Sequence, residues 1–352
     1  MQPKNKFLFN FAASYSGGGY KRLYEYAKKF NGMGGAYFII SPRCQQLINE
    51  FPGNQYYVVS QTLMGRIFSD CSYLKKILKN KDFFDFYYAY GIPVYSKVAR
   101  INWAHVSNVL PLAPKSVPMS LVDEFKMRFL GIRMRRNFIN ADVVSAESLF
   151  SVGLLKLQPM DRVFISVNGG DDELAIGVEK FPDHLRENTA VVVGTYRYKA
   201  LNDAYLVFQM LRKANYGNLR LLIIGSNTNI PNHFLSNKNV ILKGLLERGE
   251  VIEYLKNAKF YISATHIENS FNAASEGIFL AKESYISDIG PHRELLDGIP
   301  HKAVMIDGIS RPMLHVRRED TNFANIKSWD EVISDMLQKV AALLELRTIN
   351  KN

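Results

Sequence analysis

Cysteine is nearly absent. The 352 residues contain two, Cys44 and Cys71, and neither sits in a metal-ligand spacing. A disulfide framework is thereby excluded, and so sparse a pair fits a reducing compartment, with cytoplasmic exposure expected. Long apolar runs are also missing. None approaches the ~18 residues that span a bilayer, and the opening MQPKNKFLFNF reads as a lysine-flanked first strand rather than a signal peptide, so the chain is not expected to cross a membrane by itself. The G-x-G-x-x-G spacing of a dinucleotide site is lacking from SYSGGGYKRLYEYAKKF, and no acidic residue ends the next strand, Ala36–Ile40. No motif accompanies the basic residues that would make nucleic acid a partner.

The composition, 47% hydrophobic over 352 residues, supports a sizeable core and two domains rather than one. The net charge of +11 is unevenly placed: residues 1–188 hold 24 lysines and arginines against 16 acids, a balance of +8. The basic half is expected to meet something anionic. Apolar strand patterns at Lys6–Ala12, Ala36–Ile40, Gln55–Val59, Phe83–Tyr90, a segment ending at His105, and Asp142–Ser145 alternate with helical stretches. That alternation predicts α/β architecture with a parallel sheet. Asn168, Gly169 and Gly170 form a turn, and the polar run Asp171–Glu173 opens a linker, which sets domains of 1–170 and 189–327 around a linker of 171–188. The alternation then repeats at Ala190–Gly194, Leu219–Gly225, Val240–Lys243 and Phe260 onward, a second Rossmann-like unit. Ser328–Leu346 closes the chain as an amphipathic helix with a capping box from Ser328 and Glu331, within a C-terminal segment of 328–352.

The chain is organised around Phe260–Glu294, FYISATHIENSFNAASEGIFLAKESYISDIGPHRE. Phe260–Ser263 reads as a buried strand, Thr265–Ser270 as a polar turn and Asn272–Lys282 as a helix. A helix start outside the carboxyl end of a strand is where doubly wound sheets hold ligands, and the amides of Ser270, Phe271, Asn272 and Ala273 suit a phosphate. Glu268 in the turn and Glu276 one turn into the helix frame that place. They suit a ligand with a diphosphate between a ribose and a hexose, because carboxylates accept from sugar hydroxyls. On spacing alone the favoured reading is that Glu276 complements the helix dipole and Glu268 is a solvated loop residue. Arg197 and Lys199, in GTYRYKALND, reach the carboxyl end of the second unit's first strand, as diphosphate ligands or as solvated turn residues. The helix DEFKMRFLGIRMRRNFI, Asp123–Ile139, mixes basic and aromatic residues, as a helix on an anionic membrane surface or as a packed helix with a solvated face. Arg133, Arg135 and Arg136 are its membrane candidates, with Lys75, Lys76, Lys79 and Lys81 as a second patch.

The Glu268-to-Glu276 spacing, with seven residues between, and the following SYISDIGPHREL resemble the donor-binding segment of family 4 retaining glycosyltransferases of the GT-B fold. ENSFNAASE departs from that pattern: it has small residues but no glycine where most members carry an EGFGLP-like turn. The resemblance implies α/β, GT-B architecture, two Rossmann-like domains facing a central cleft, acceptor domain first and donor domain second, with the final helix crossing back. It implies that Glu268 contacts the donor sugar, that Glu276 holds the ribose, and that Arg197 and Lys199 bind the diphosphate. It further implies that the backbone past Gly244, at Leu245 and Leu246, reads the base. The glycine loop of Gly17, Gly18 and Gly19 faces the diphosphate or acceptor. In WAHVSNVLPLAP, His105 and Asn108 neighbour the transferred sugar or the acceptor.

The activity so implied is that of a hexosyltransferase, moving a hexose-type sugar with retention from a UDP- or GDP-linked donor to a hydroxyl. The acceptor is lipid-linked or a glycan in surface polysaccharide assembly, including lipopolysaccharide, on the cytosolic face of an anionic membrane. No cofactor beyond the donor and no metal is expected. A sugar-nucleotide epimerase and a non-catalytic nucleotide-sugar-binding subunit use the same frame and stay as alternatives.

Overall fold

Apolar residues follow one another with little polar alternation in FLFNF, YFII, FDFYYAY and ARINWAH, as strands covered on both faces require. A computed structural model describes residues 6–60, 72–79, 84–157, 159–170, 186–214, 216–227, 230–321 and 326–349. Contacts divide the chain into two compact units. One holds the residues up to Pro114, Ser120–Gly169 and those from Lys327 onward; the other holds Lys115–Met119 and Gly170–Ile326.

In the first unit the described elements are β1 (Phe7–Phe11), α1 (Gly17–Gly32), β2 (Tyr37–Ile40), α2 (Gln46–Glu50), β3 (Gln55–Val58), α3 (Ser72–Lys79), β4 (Phe84–Tyr90) and β5 (Ala99–His105). There follow α4 (Leu121–Asn137), β6 (Val143–Ala146), α5 (Leu149–Leu155) and β7 (Val163–Ile165). The strands pair in parallel in the order β3-β2-β1-β4-β5-β6-β7, so the connections diverge between β1 and β4. Aromatic rings fill the core: Phe9 stacks on Phe38 at 5.1 Å and meets Phe86 edge-on at 5.9 Å. Each such pair adds ~0.5–1.5 kcal/mol to simple burial.

The second unit runs β8 (Glu187–Val193), α6 (Leu201–Lys213), β9 (Arg220–Ile224), α7 (Asn232–Leu235), β10 (Val240–Gly244), α8 (Arg248–Asn257), β11 (Ala258–Ser263), α9 (Asn272–Leu280), β12 (Glu283–Ser287), α10 (Gly290–Leu295), β13 (Lys302–Val304) and β14 (Met313–Arg317). Its order is β10-β9-β8-β11-β12-β14-β13, parallel through β12, with β14 antiparallel to β12 and β13. Here the connections diverge between β8 and β11. The final helix, α11 (Trp329–Ile349), belongs to the first unit, where Trp329, Val332, Ile333, Met336, Val340 and Leu344 complete the aromatic core. Its start is a capping box: Ser328 Oγ accepts from the Glu331 amide at 3.2 Å while Glu331 accepts from the Ser328 amide at 2.7 Å.

Three boundaries differ from expectation. Residues 187 and 188 of the expected linker are strand, because Glu187 pairs with Ala258; residues 171–185 lie outside the described residues. Helix α4 begins at Leu121, two residues earlier, capped by Ser120, whose Oγ accepts from the Asp123 amide at 3.1 Å. Helix α9 stops at Leu280 rather than Lys282, since the Lys282 amide bonds Ala258 O at 3.3 Å and β12 begins at Glu283.

Candidate functional site

Two polar clusters form at the two places where strand connections diverge, the positions at which doubly wound sheets leave a crevice. In the second unit the turns after β8 and β11 are laced together. The Tyr198 carbonyl accepts from the His266 amide at 2.8 Å and from Thr265 Oγ1 at 3.0 Å. That lacing brings Lys199 onto Glu268, where its ammonium donates to Oε1; each side chain is 11% exposed. Burial opposes a charge on Lys199, but the Glu268 carboxylate outweighs it and holds the amine above its ordinary pKa.

Glu276 stands on α9, 8% exposed, and its Oε1 accepts from Arg248 at 2.6 Å. Arg248 opens α8, whose start is fixed by the capping box of Glu247 and Glu250. The depth of Glu276 is set by its neighbour: a Cβ at Gly277 would lie 2.0 Å from the Tyr261 ring, so glycine lets α9 rest directly on β11. Both Glu268 and Glu276 act electrostatically on Lys199 and on the buried Tyr261 phenol. The result is a pair of ion pairs, Lys199–Glu268 and Glu276–Arg248, beside the start of α9. Phe271 at its N-cap supplies no side-chain cap, and Ser270 Oγ donates to Asn272 Oδ1 at 2.9 Å. First-turn amides have no partner within their own helix and favour an anion.

His292 is fully buried near this group. Its Nδ1 donates to Ser287 O at 2.7 Å, and burial lowers its pKa, so the ring is neutral. Arg197 opens the same turn as Lys199. It is exposed and, with Thr195, Asn202, Asp203 and His266, lines a cavity of about 490 Å³ to which Lys199 does not contribute. The two cations expected to act on one diphosphate thus have different surroundings. Gly244 leaves β10 at φ +72°, Leu245 is 82% exposed, and Leu246 packs against the apolar core.

The first unit's cluster is closed. Arg22 of α1, fully buried, donates to Ser166 O at 2.9 Å, Val167 O at 2.8 Å, Ser166 Oγ at 2.9 Å and Asn168 Oδ1 at 3.0 Å. Glu147 lies 3.9 Å from it and accepts from Tyr90 at 3.0 Å. His105 sits between, 2% exposed, with Nδ1 2.8 Å from Ser145 Oγ and Nε2 3.3 Å from Glu147. Burial, seconded by Arg22, pushes its pKa down to about 4. The neutral ring therefore donates from Nε2 to Glu147 and accepts at Nδ1 from Ser145, whose oxygen takes the Trp103 indole N–H at 2.7 Å. Burial works against the Glu147 charge, but the His105 hydrogen bond and the Arg22 charge prevail and hold its pKa low.

No protein-family model matches the chain, and no curated protein does. Solved structures match throughout its length. Sucrose-phosphate synthase from Thermosynechococcus elongatus is 11% identical, over 82% of each chain, with a TM-score of 0.59. The E. coli trehalose-6-phosphate structure with bound UDP-2-fluoro glucose is 9% identical over 98% of this chain and 96% of its own, at 0.58. WaaG, a glycosyltransferase involved in lipopolysaccharide biosynthesis, is 13% identical over 83% and 84%, at 0.57. The fold is GT-B.

On this GT-B frame, Lys199, Glu268, Glu276 and the α9 start at Ser270–Ala273 come together, with Gly244 at the end of β10. His105 is buried, and its two ring nitrogens are engaged by Ser145 and Glu147. Asn108 is exposed and caps a turn by accepting from the Leu110 amide at 2.9 Å. Gly17, Gly18 and Gly19 open α1. Arg22, Arg248, Tyr261 and His292 went unnoticed in the sequence. Arg22 alone had left a signal there, as a cation within the apolar stripe Leu23, Tyr26, Ala27 and Phe30 of α1.

Proposed function

We propose that the chain is a retaining glycosyltransferase that moves a hexose-type sugar from a nucleoside diphosphate to an acceptor hydroxyl, with the donor held on the second unit. The observation that carries this reading is the pair of ion pairs at the β8–β11 divergence beside the α9 N-terminus. The Lys199 ammonium and the α9 amides take the charge that accumulates on the departing diphosphate. Glu268, beside them, orients the sugar hydroxyls, and Glu276 accepts from the ribose. The leaving phosphate and the incoming hydroxyl share one face of the sugar, so retention needs no carboxylate nucleophile. The E. coli neighbour bound with UDP-2-fluoro glucose supports a UDP-linked donor, and the WaaG likeness supports an acceptor in surface polysaccharide assembly, lipid-linked or glycan.

The acceptor is met at an anionic membrane surface, through α4. Leu121, Val122, Phe125, Phe129 and Ile132 are 86, 77, 73, 41 and 50% exposed. At 100° per residue they fall within one arc of about 100°. Exposed Lys126, Arg128 and Arg136 flank or interrupt that arc, the arrangement of a helix lying in a lipid interface. Arg135, one of the expected membrane contacts, is exposed and donates to Leu112 O and Leu154 O at 3.4 and 3.3 Å. Lys75 and Lys76 are exposed on α3, whereas the Lys79 side chain and Lys81 lie outside the described residues. Among the described residues no helix is long and apolar enough to cross a membrane.

A thermal-shift panel of UDP, GDP and their hexose conjugates tests the donor site, since a ligand at 100 times its Kd stabilises by about 2.7 kcal/mol. Release of nucleoside diphosphate dependent on an added acceptor completes the test. Binding with no release on any acceptor would reduce the protein to a binding subunit, and sugar-nucleotide turnover without acceptor would make it an epimerase. For the membrane, Phe125→Ser with Phe129→Ser should abolish sedimentation with anionic vesicles. Equal binding to neutral and anionic vesicles would refute this surface.

A further inference from the structure

The proposed chemistry uses Lys199, Glu268 and Glu276 and leaves out the fourth member of the row. Arg248 is the first residue of α8, placed by the reciprocal Glu247–Glu250 cap immediately after the turn that leaves β10 at Gly244. Its side chain is 40% exposed and runs inward to a carboxylate that is 11% exposed, with 2.6 Å between NH1 and Oε1. A fixed helix start, a short charge-assisted hydrogen bond and a covered acceptor make this contact unlike the chain's exposed ion pairs, such as Arg220–Glu187 at 3.6 Å with both side chains more than half exposed. It also offsets like charge. Glu276 and Glu268 both act on Lys199 and Tyr261, so two carboxylates share one partly covered region, and the Lys199 ammonium bonds Glu268. Without a second cation the like charges would oppose each other.

We infer that Arg248 is a positioning residue for the nucleotide's ribose: it fixes the Glu276 carboxylate so that a vicinal diol is preferred over a ligand lacking it. The inference rests on the proposed nucleotide site and adds to it a determinant of specificity. A carboxylate has about four acceptor positions, so one oxygen held by a guanidinium N–H still leaves capacity for hydroxyl donors. The planar guanidinium sits on α8 and the carboxylate on α9, so the bond also ties the wall that follows Gly244 to the helix that begins the phosphate site.

The test is calorimetric: Kd for UDP and for 2′,3′-dideoxy-UDP, with the GDP pair in parallel, on wild type, Arg248→Gln, Arg248→Lys and Glu276→Gln. Wild type should favour the ribonucleotide at least tenfold. Arg248→Gln should lower that preference by about tenfold, ~1.4 kcal/mol, and leave the dideoxy affinity nearly unchanged. Arg248→Lys, which keeps the charge but not the fork, should recover part of it. A preference unchanged in Arg248→Gln, whatever its overall affinity, would overturn the inference. So would equal losses for both ligands, which would make Arg248 a phosphate contact. A wild type that binds neither UDP nor GDP, or a Glu276→Gln that keeps the full preference, would place the failure in the nucleotide site itself and remove the inference with it.

Discussion

The clusters around Arg22 and around Lys199 contain the same chemical types, yet the first is buried throughout and the second reaches solvent at Arg248. Both stand where strand connections diverge in a parallel sheet. Arg22 has a full set of acceptors in Ser166, Val167 and Asn168, and His105 and Glu147 complete each other beside it. In the second unit Lys199 pairs with Glu268 and Arg248 with Glu276, beside the start of α9. Position in the fold therefore marks where a site can be.

The sharpest way to break this contrast is at Arg22. Arg22→Met should cost ~3–5 kcal/mol, as expected when one partner of a buried charged group is removed, and chemical denaturation reads it directly. A loss under 1 kcal/mol would show that the cluster is not a closed scaffold.

Acid should act next most strongly, and on the first unit. His105 titrates at about 4 when folded against 6.5 for the free side chain. The unfolded state therefore binds more protons between those values, and stability falls as pH drops from 6.5 toward 4. Glu147, whose pKa is also held low, adds a loss in the same direction as pH falls through its folded value. The His105 part is on the order of 3 kcal/mol in full. His105→Gln should flatten the slope of stability against pH in that window; a slope that persists would show that other groups carry it.

Lys199→Ala should weaken binding of a nucleoside diphosphate by ~1.5–3 kcal/mol with less effect on the nucleoside, because the lost contact is a charged hydrogen bond to phosphate. Equal losses for the two ligands would move Lys199 away from the phosphates. Smaller still is Arg197→Ala. Its exposed side chain predicts less than half the effect of Lys199→Ala in the same titration.

Much of the frame was legible because uncovered alternation is rare in it. Runs such as FDFYYAY and the FYIS of β11 name buried parallel strands, and Ser328 with Glu331 names a helix start. Lys199, Glu268 and Glu276 were named through the family resemblance, since the spacing of the two carboxylates alone favours a helix-dipole residue and a solvated loop residue. What it could not show was burial. His105 at a strand end looks the same whether its nitrogens are free or engaged. Arg248 was invisible for a different reason: its partner is 28 residues away, and only the packing of α8 against α9 brings them together.

One substitution made twice tests the contrast most directly: Glu276→Gln and Glu147→Gln, each melted with and without saturating UDP or GDP. The account predicts that Glu276→Gln keeps the melting temperature of the free protein and loses most of the nucleotide-induced rise. Glu147→Gln should melt several degrees lower and keep that rise. A full nucleotide response in Glu276→Gln, or an unaltered melting temperature in Glu147→Gln, would contradict it.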